Sequence, residues 1–137
     1  IRYVKEIAYQ VLRINIDVVS LLTYGKKVKW KSENLNRSLF RWIYSHVTLK
    51  CGRPAPLGEA LKELVKKLAK CNEDDRVVVL FITKGNPTDD WESALDSVKE
   101  SSAFKRVHKS AILLGGNQNV DILVKICGDK NVVITYP

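Results

Sequence analysis

The chain contains no methionine, and its three cysteines, Cys51, Cys71 and Cys127, are odd in number and far apart. With no C-x-x-C pair there is neither zinc-ligand spacing nor a disulfide framework, so hydrophobic burial must hold the fold. A single domain spanning all 137 residues is expected, since a chain of that size buries about two-thirds of the surface its unfolded form exposes. No apolar run approaches the roughly 18 residues of a membrane span, and nothing resembles a signal peptide. Scattered reduced thiols then point to a cytoplasmic protein. The missing initiator methionine raises the expectation of processing, or of a segment preceding Ile1. Catalytic patterns are lacking as well: His46 and His108 are isolated, and Gly115-Gly116 sits in no G-x-G-x-x-G or P-loop pattern and reads as a turn. The expectation is a non-enzyme without a cofactor.

What the chain does have is positive charge, unevenly placed. The formal net charge is +8, yet residues 1–68 hold 14 Lys/Arg against 5 Asp/Glu whereas residues 69–137 hold 9 against 10. The excess peaks in a basic surface comprising Lys26, Lys27, Lys29, Lys31, Arg37 and Arg41, interleaved with Trp30, Phe40, Trp42 and Tyr44 and relieved by Glu33 alone. Such a stretch suits a solvated face, a docking surface for an acidic protein, or nucleic acid, because cations neutralise phosphates and aromatic rings stack on bases.

Periodicity supplies the elements. Residues 1–14 place Val4, Ile7, Ala8, Val11 and Leu12 on one helical face, and residues 16–24 form a β-branched, nearly continuous apolar run expected for a strand buried on both faces. After a turn at Gly25, lysines alternate with Val28 and Trp30 as in an edge strand, and residues 32–46 suggest a helix. Residues 51–56, with two prolines and a glycine, form a loop. Leu57, Ala60, Leu61, Leu64, Val65 and Leu68 mark a strong helix, with Lys62, Lys66, Lys67 and Lys70 on its solvated side. Residues 76–83 read as a second buried strand. Thr88 or Asp89 is expected to cap a helix that turns Trp91, Ala94, Leu95 and Val98 inward. A strand over 106–114, a short helix over 120–126 and a strand over 131–136 complete the chain. Alternating strands and helices predict a three-layer α/β domain, a doubly wound, mostly parallel, Rossmann-like sheet.

The segments P-L-G-E-A-L-K-E-L (56–64), V-V-V-L-F-I-T-K-G-N-P-T-D-D-W (77–91) and S-A-I-L-L-G-G (110–116) together resemble the von Willebrand factor A domain. The likeness is closest to the bacterial tellurium-resistance type, whose loop after the fourth strand reads T-D-G-x-P-T-D-x-W. Residues 1–13 are similar to that family's first helix and residues 16–30 to a hairpin of its second and third strands. The resemblance implies a sheet of order 3-2-1-4-5-6 and a protein-binding face at the carboxyl ends of its strands. It also implies a divalent metal held by a D-x-S-x-S motif, a threonine and an aspartate, oxygen donors of the kind a hard cation requires.

The match fails at each ligand. No D-x-S-x-S occurs, Ala55 stands where the threonine belongs, and the aspartate's position carries Lys84. The expectation is therefore a degenerate metal-ion-dependent adhesion site with no metal. The first central strand is also missing, leaving residues 16–24 and 76–83 without a partner between them. A segment before Ile1 is the favoured source, another chain the alternative. Lys84 admits three readings: solvated, paired with Asp89, Asp90 or an acid preceding Ile1, or in contact with an acidic partner. Asp89 and Asp90 read as helix N-terminal acids. The function expected is a protein-protein interaction module whose partner meets Arg53, Ala55, Lys84, Asn86 and Asp90. The alternative is nucleic-acid binding through residues 26–53.

Overall fold

In the computed structural model, residues 18–36, 38–39, 55–115 and 119–135 are described. The chain divides into two compact units, Ile1–Pro54 and Ala55–Pro137.

In the first unit the described residues form an antiparallel hairpin, β1 (Val18–Tyr24) and β2 (Val28–Asn36), turned at Gly25. Lys29 and Lys31 are exposed while Val28 and Trp30 are half-buried, so the expected alternation of an edge strand is present. The pairing is irregular. Tyr24 opposes Val28 and Leu22 opposes Trp30, but Leu21 opposes Ser32 and Val19 opposes Leu35, so β2 gains a residue on β1 at two places. Each extra residue is a bulge, which bends and twists the strand. At the second, Asn34 takes a left-handed conformation (φ 53°) and its N–H donates to Ser20 Oγ at 2.9 Å.

These bulges correct the helix expected over 32–46. Residues 32–36 stay in the strand, because the inserted residues let Ser32 and Leu35 keep partners on β1. The helix-like spacing of Leu35 and Leu39 misleads across that boundary. Asn36 Oδ1 accepts from the N–H of Leu39 at 2.8 Å, an N-cap geometry, and Ser38 and Leu39 are helical. The rest of the expected helix, like the one over 1–14, lies outside the described residues. A second correction concerns β1, expected to be buried on both faces. Its residues are only half-buried and Val18 is 53% exposed, because among the described residues it pairs with β2 alone.

The second unit alternates helix and strand: α1 (Leu57–Leu68), β3 (Val78–Thr83), α2 (Trp91–Val98), α3 (Ser102–Arg106), β4 (His108–Leu114), α4 (Val120–Cys127) and β5 (Val132–Thr135). Its sheet is parallel in the order β3-β4-β5, with Phe81 opposite Ala111 and Ala111 opposite Val132. Leu57, Ala60, Leu61 and Leu68 of α1 meet Ala94, Leu95 and Val98 of α2 in a core completed by Phe104, Ala111, Leu113, Leu123 and Ile126. The one-turn α3, capped by Ser101 Oγ accepting from the N–H of Phe104 at 3.4 Å, was not expected from the sequence. Five residues are too few to show a helical period.

The α/β class with a parallel sheet is as expected. The described strands form two sheets that share no strand. No helix among the described residues is long and apolar enough to cross a membrane.

Candidate functional site

Because β3 and β4 are parallel, the loops that follow them open at the same end of the sheet, where ligands meet folds of this class. Three segments converge there: the lead-in to α1, residues 84–90 after β3, and the entry to α4.

The first two are clamped together. Ala55 N–H donates to Thr88 Oγ1 at 2.9 Å and Thr88 N–H donates to Ala55 O at 2.9 Å. Helix α1 has Pro56 at its N-cap position, which lends no side-chain acceptor. The acceptors come instead from Asp89, whose Oδ1 takes the N–H of Gly58 and whose Oδ2 takes the N–H of Glu59, each at 3.0 Å. A carboxylate at a helix N-terminus satisfies orphaned donors and is favoured by the helix dipole. Asp89 therefore caps a helix 31 residues upstream. The cap of α2 is Asp90, whose Oδ1 accepts from the N–H of Ser93 at 3.3 Å. This corrects the expectation that Thr88 or Asp89 would cap the following helix: both side chains are engaged by the lead-in to α1. Asp89 and Asp90 are helix N-terminal acids, but of different helices.

Gly58 shows how tight the clamp is. A Cβ there would lie 3.0 Å from Ala94 Cβ, 3.0 Å from Asp89 Oδ2 and 3.1 Å from Trp91 Cα. Gly85, buried and at φ +76°, is equally constrained, because a Cβ would come within 2.9 Å of Asn119 Cβ and of Leu113 Cδ1. Its N–H donates to Thr83 Oγ1 at 3.0 Å. The third segment joins through Asn119, whose Nδ2 donates to Asn86 Oδ1 at 2.8 Å. Asn119 stands at the N-cap position of α4, yet its side chain makes no cap bond. Lys125 on α4 lies over the Trp91 ring, 5.7 Å from its centroid.

Of the residues expected to meet a partner, Ala55, Asn86 and Asp90 belong to this hydrogen-bonded frame. Lys84 is exposed, and among the described residues it makes no ion pair, in line with the solvated reading: Asp89 and Asp90, the loop acids named in the paired reading, hold backbone N–H groups instead. Arg53 lies outside the described residues. In the other unit Lys26, Lys27, Lys29 and Lys31 are all exposed, while Arg37 and Arg41 lie outside the described residues. Gly58 and Asn119 were missed in the sequence. A glycine in the first turn of a strong helix was the available signal for the former.

Two perturbed groups belong near the other end of β4. Lys109 Nζ donates to the carbonyls of Phe104 at 2.6 Å and Val107 at 3.1 Å and lies over the Phe104 ring. Burial holds this ammonium below the usual lysine range, with the Cys127 thiolate form working against the shift. Burial likewise pushes the Cys127 thiol up to about 11, opposed by Lys109.

No protein-family model and no curated protein sequence matches the chain significantly. Solved structures do. Proximal thread matrix protein 1 from the mussel byssus, with a zinc-occupied MIDAS motif, superposes with a TM-score of 0.75 at 14% identity over 98% of this chain and 36% of its own. The manganese-loaded TRAP protein of Plasmodium vivax gives 0.72 at 14% identity over 97% of this chain and 60% of its own. The fold is of the von Willebrand A type. At this identity the likeness concerns the fold alone. The chain spans about a third of the length of the mussel protein and 60% of the TRAP chain. Within the von Willebrand A-type fold, the residue-84 loop and the α1 lead-in occupy the end of the sheet described above.

Proposed function

We propose that this domain is a non-enzymatic protein-interaction module that keeps a von Willebrand A-type frame, of the tellurium-resistance kind, without its metal. Its docking face is formed by Ala55, Lys84, Asn86 and Asp90, with Arg53 beside them in sequence. The observation that carries the reading is the disposition of charge in the residue-84 loop. A divalent cation needs several converging oxygen donors. Ala55 has no side-chain oxygen, Lys84 brings a positive charge, and the Asp89 and Asp90 carboxylates are turned to backbone N–H groups. Among the described residues, no group of three His, Cys, Asp or Glu side chains is placed to hold a metal. The donor set therefore does not fit such an ion. An exposed ammonium on a rigid loop suits an acidic partner, and the interaction modules among the fold's relatives support protein as the partner class.

The test is a thermal melt of the chain with EDTA and with excess Mg²⁺, Mn²⁺ or Zn²⁺. The melting temperature is expected to stay the same in all, and a metal-dependent rise of several degrees overturns the metal-free reading.

Nucleic acid remains the second reading, favoured by the exposure of Lys26, Lys27, Lys29 and Lys31 on one hairpin. Four phosphate contacts give a salt slope of about −3 to −4 in log K against log salt for duplex DNA. A binding series from low to physiological salt that detects no DNA binding at its lowest point removes that reading.

A further inference from the structure

Lysines crowd the turn of the hairpin and the strand that leaves it. Lys26, Lys27, Lys29 and Lys31 are all exposed, and among the described residues none of them joins an ion pair. Protecting a strand from unwanted pairing does not require so many, because a bulge already blunts an edge and β2 has two. The first bulge falls on a lysine. Trp30 pairs with Leu22 and Ser32 with Leu21, so Lys31 is the residue left without a β1 partner. A bulge takes its extra residue out of the ladder and re-aims the side chain, and here that side chain is exposed. Like charges this close repel one another, and a polymer of opposite charge relieves the repulsion at every position.

The aromatic residues of the hairpin sit elsewhere. Lys29 lies opposite Thr23, whereas the neighbouring pairs Trp30–Leu22 and Val28–Tyr24 hold the alternate positions and are half-buried. Successive side chains of a strand point to opposite faces, so both rings occupy the face that Lys29 leaves. Among the described residues of the hairpin, no ring is presented beside Lys29 for a base to stack on. We infer that Lys26, Lys27, Lys29 and Lys31 grip the phosphodiester backbone of a nucleic acid by charge alone, without reading its bases. Four cations in the six residues from Lys26 to Lys31 match a polymer with a charge on every unit better than a protein surface, where both signs are interspersed. Each ammonium that meets a phosphate releases a condensed counterion, so affinity grows with the number of lysines engaged and asks little of their exact placement. The inference rests on the nucleic-acid reading given above and is independent of the loop face.

Fluorescence anisotropy with the whole chain over a salt series tests the site. The probes, each about 20 nucleotides long to exceed one binding site, are an oligothymidylate, a mixed-sequence duplex and a single strand of abasic sites. All three are expected to bind at low salt, the abasic strand within about threefold of the oligothymidylate because no stacking is lost with the bases. Lys29→Gln/Lys31→Gln removes two of four contacts, so the duplex salt slope should become shallower by about 2 and low-salt affinity should fall about tenfold. Lys62→Gln/Lys66→Gln on α1 removes the same charge and should leave both unchanged. All four positions are exposed, so circular dichroism should show the fold kept in each variant. A loss of more than about tenfold with the abasic strand means that bases are read. A slope untouched by Lys29→Gln/Lys31→Gln, or moved equally by the α1 pair, puts the contact elsewhere. Either result overturns the proposal while nucleic acid stays a ligand. Displacement of the oligothymidylate by poly-L-glutamate at equal charge overturns it in favour of an acidic protein, and binding of no probe at the lowest salt removes the nucleic-acid reading with it.

Discussion

Asp89 carries more of the architecture than its exposed neighbours in the loop. It holds two backbone donors of α1 that no nearer side chain reaches, so Asp89→Ala should cost about 2 kcal/mol in urea unfolding, at the upper end for a lost cap. Asp90→Ala removes one longer bond, at 3.3 Å, and should cost about 0.5–1 kcal/mol. Gly58→Ala reverses a familiar sign. In an ordinary helix interior that change gains about 0.5–1 kcal/mol. Here the added carbon meets Ala94 and the Trp91 backbone at about 3 Å, and overpacking of about 1–3 kcal/mol should win. A measured stabilisation would mean that α1 and α2 can part. Cys127 offers a chemical test. With its thiol at about 11 because of burial, alkylation by iodoacetamide at neutral pH should be slower than at a free thiol and should accelerate as pH rises towards 11. The folded state keeps a proton that the unfolded state releases from about 9, so this group's contribution to stability falls as pH climbs through that interval. Lys109, shifted downward, works in the opposite sense over the alkaline range.

Elements were legible where one period ran uninterrupted. The stripe from Leu57 to Leu68 and the inward set Ala94, Leu95 and Val98 are found as read, because one buried helical face imposes one spacing. Strand β2 was misread at its end, since a bulge changes which residues share a face while the sequence shows only the new spacing. Asn34 was the available clue, as asparagine tolerates the left-handed region better than most residues. The site divides similarly. Its loop could be placed from G-N-P-T-D-D-W, but the partners of Thr88 and Asp89 lie some 30 residues away, and no local pattern names them. Ser32 gives a test within β2. Its Oγ is buried with no hydrogen-bond partner among the described residues, and an unmet buried hydroxyl costs about 1–3 kcal/mol. Ser32→Ala should therefore leave stability unchanged or raise it in chemical denaturation. A clear loss would mean that the hydroxyl is satisfied in solution.

At the scale of the molecule, stability is unevenly shared. Every fully buried hydrophobic residue among those described falls between Leu57 and Ile126, in the second unit. Among the described residues of the first, the only sheet is a two-stranded hairpin, an arrangement of marginal stability alone. Hydrogen exchange should accordingly be faster along β1 and β2 than along β4, and equal protection would show that the two units unfold as one. The positive charge is concentrated in the same half, so added salt should favour that unit by screening its self-repulsion. The Asp89 clamp has a consequence for how such loops change over evolutionary time. The part of the motif that makes it recognisable is fastened to the scaffold, while Lys84, the residue proposed to meet a partner, faces solvent and bears no described bond. Substitution at one is penalised by folding, and at the other it is nearly free. A lineage can thus exchange what the loop binds while its signature persists as a fossil of the frame.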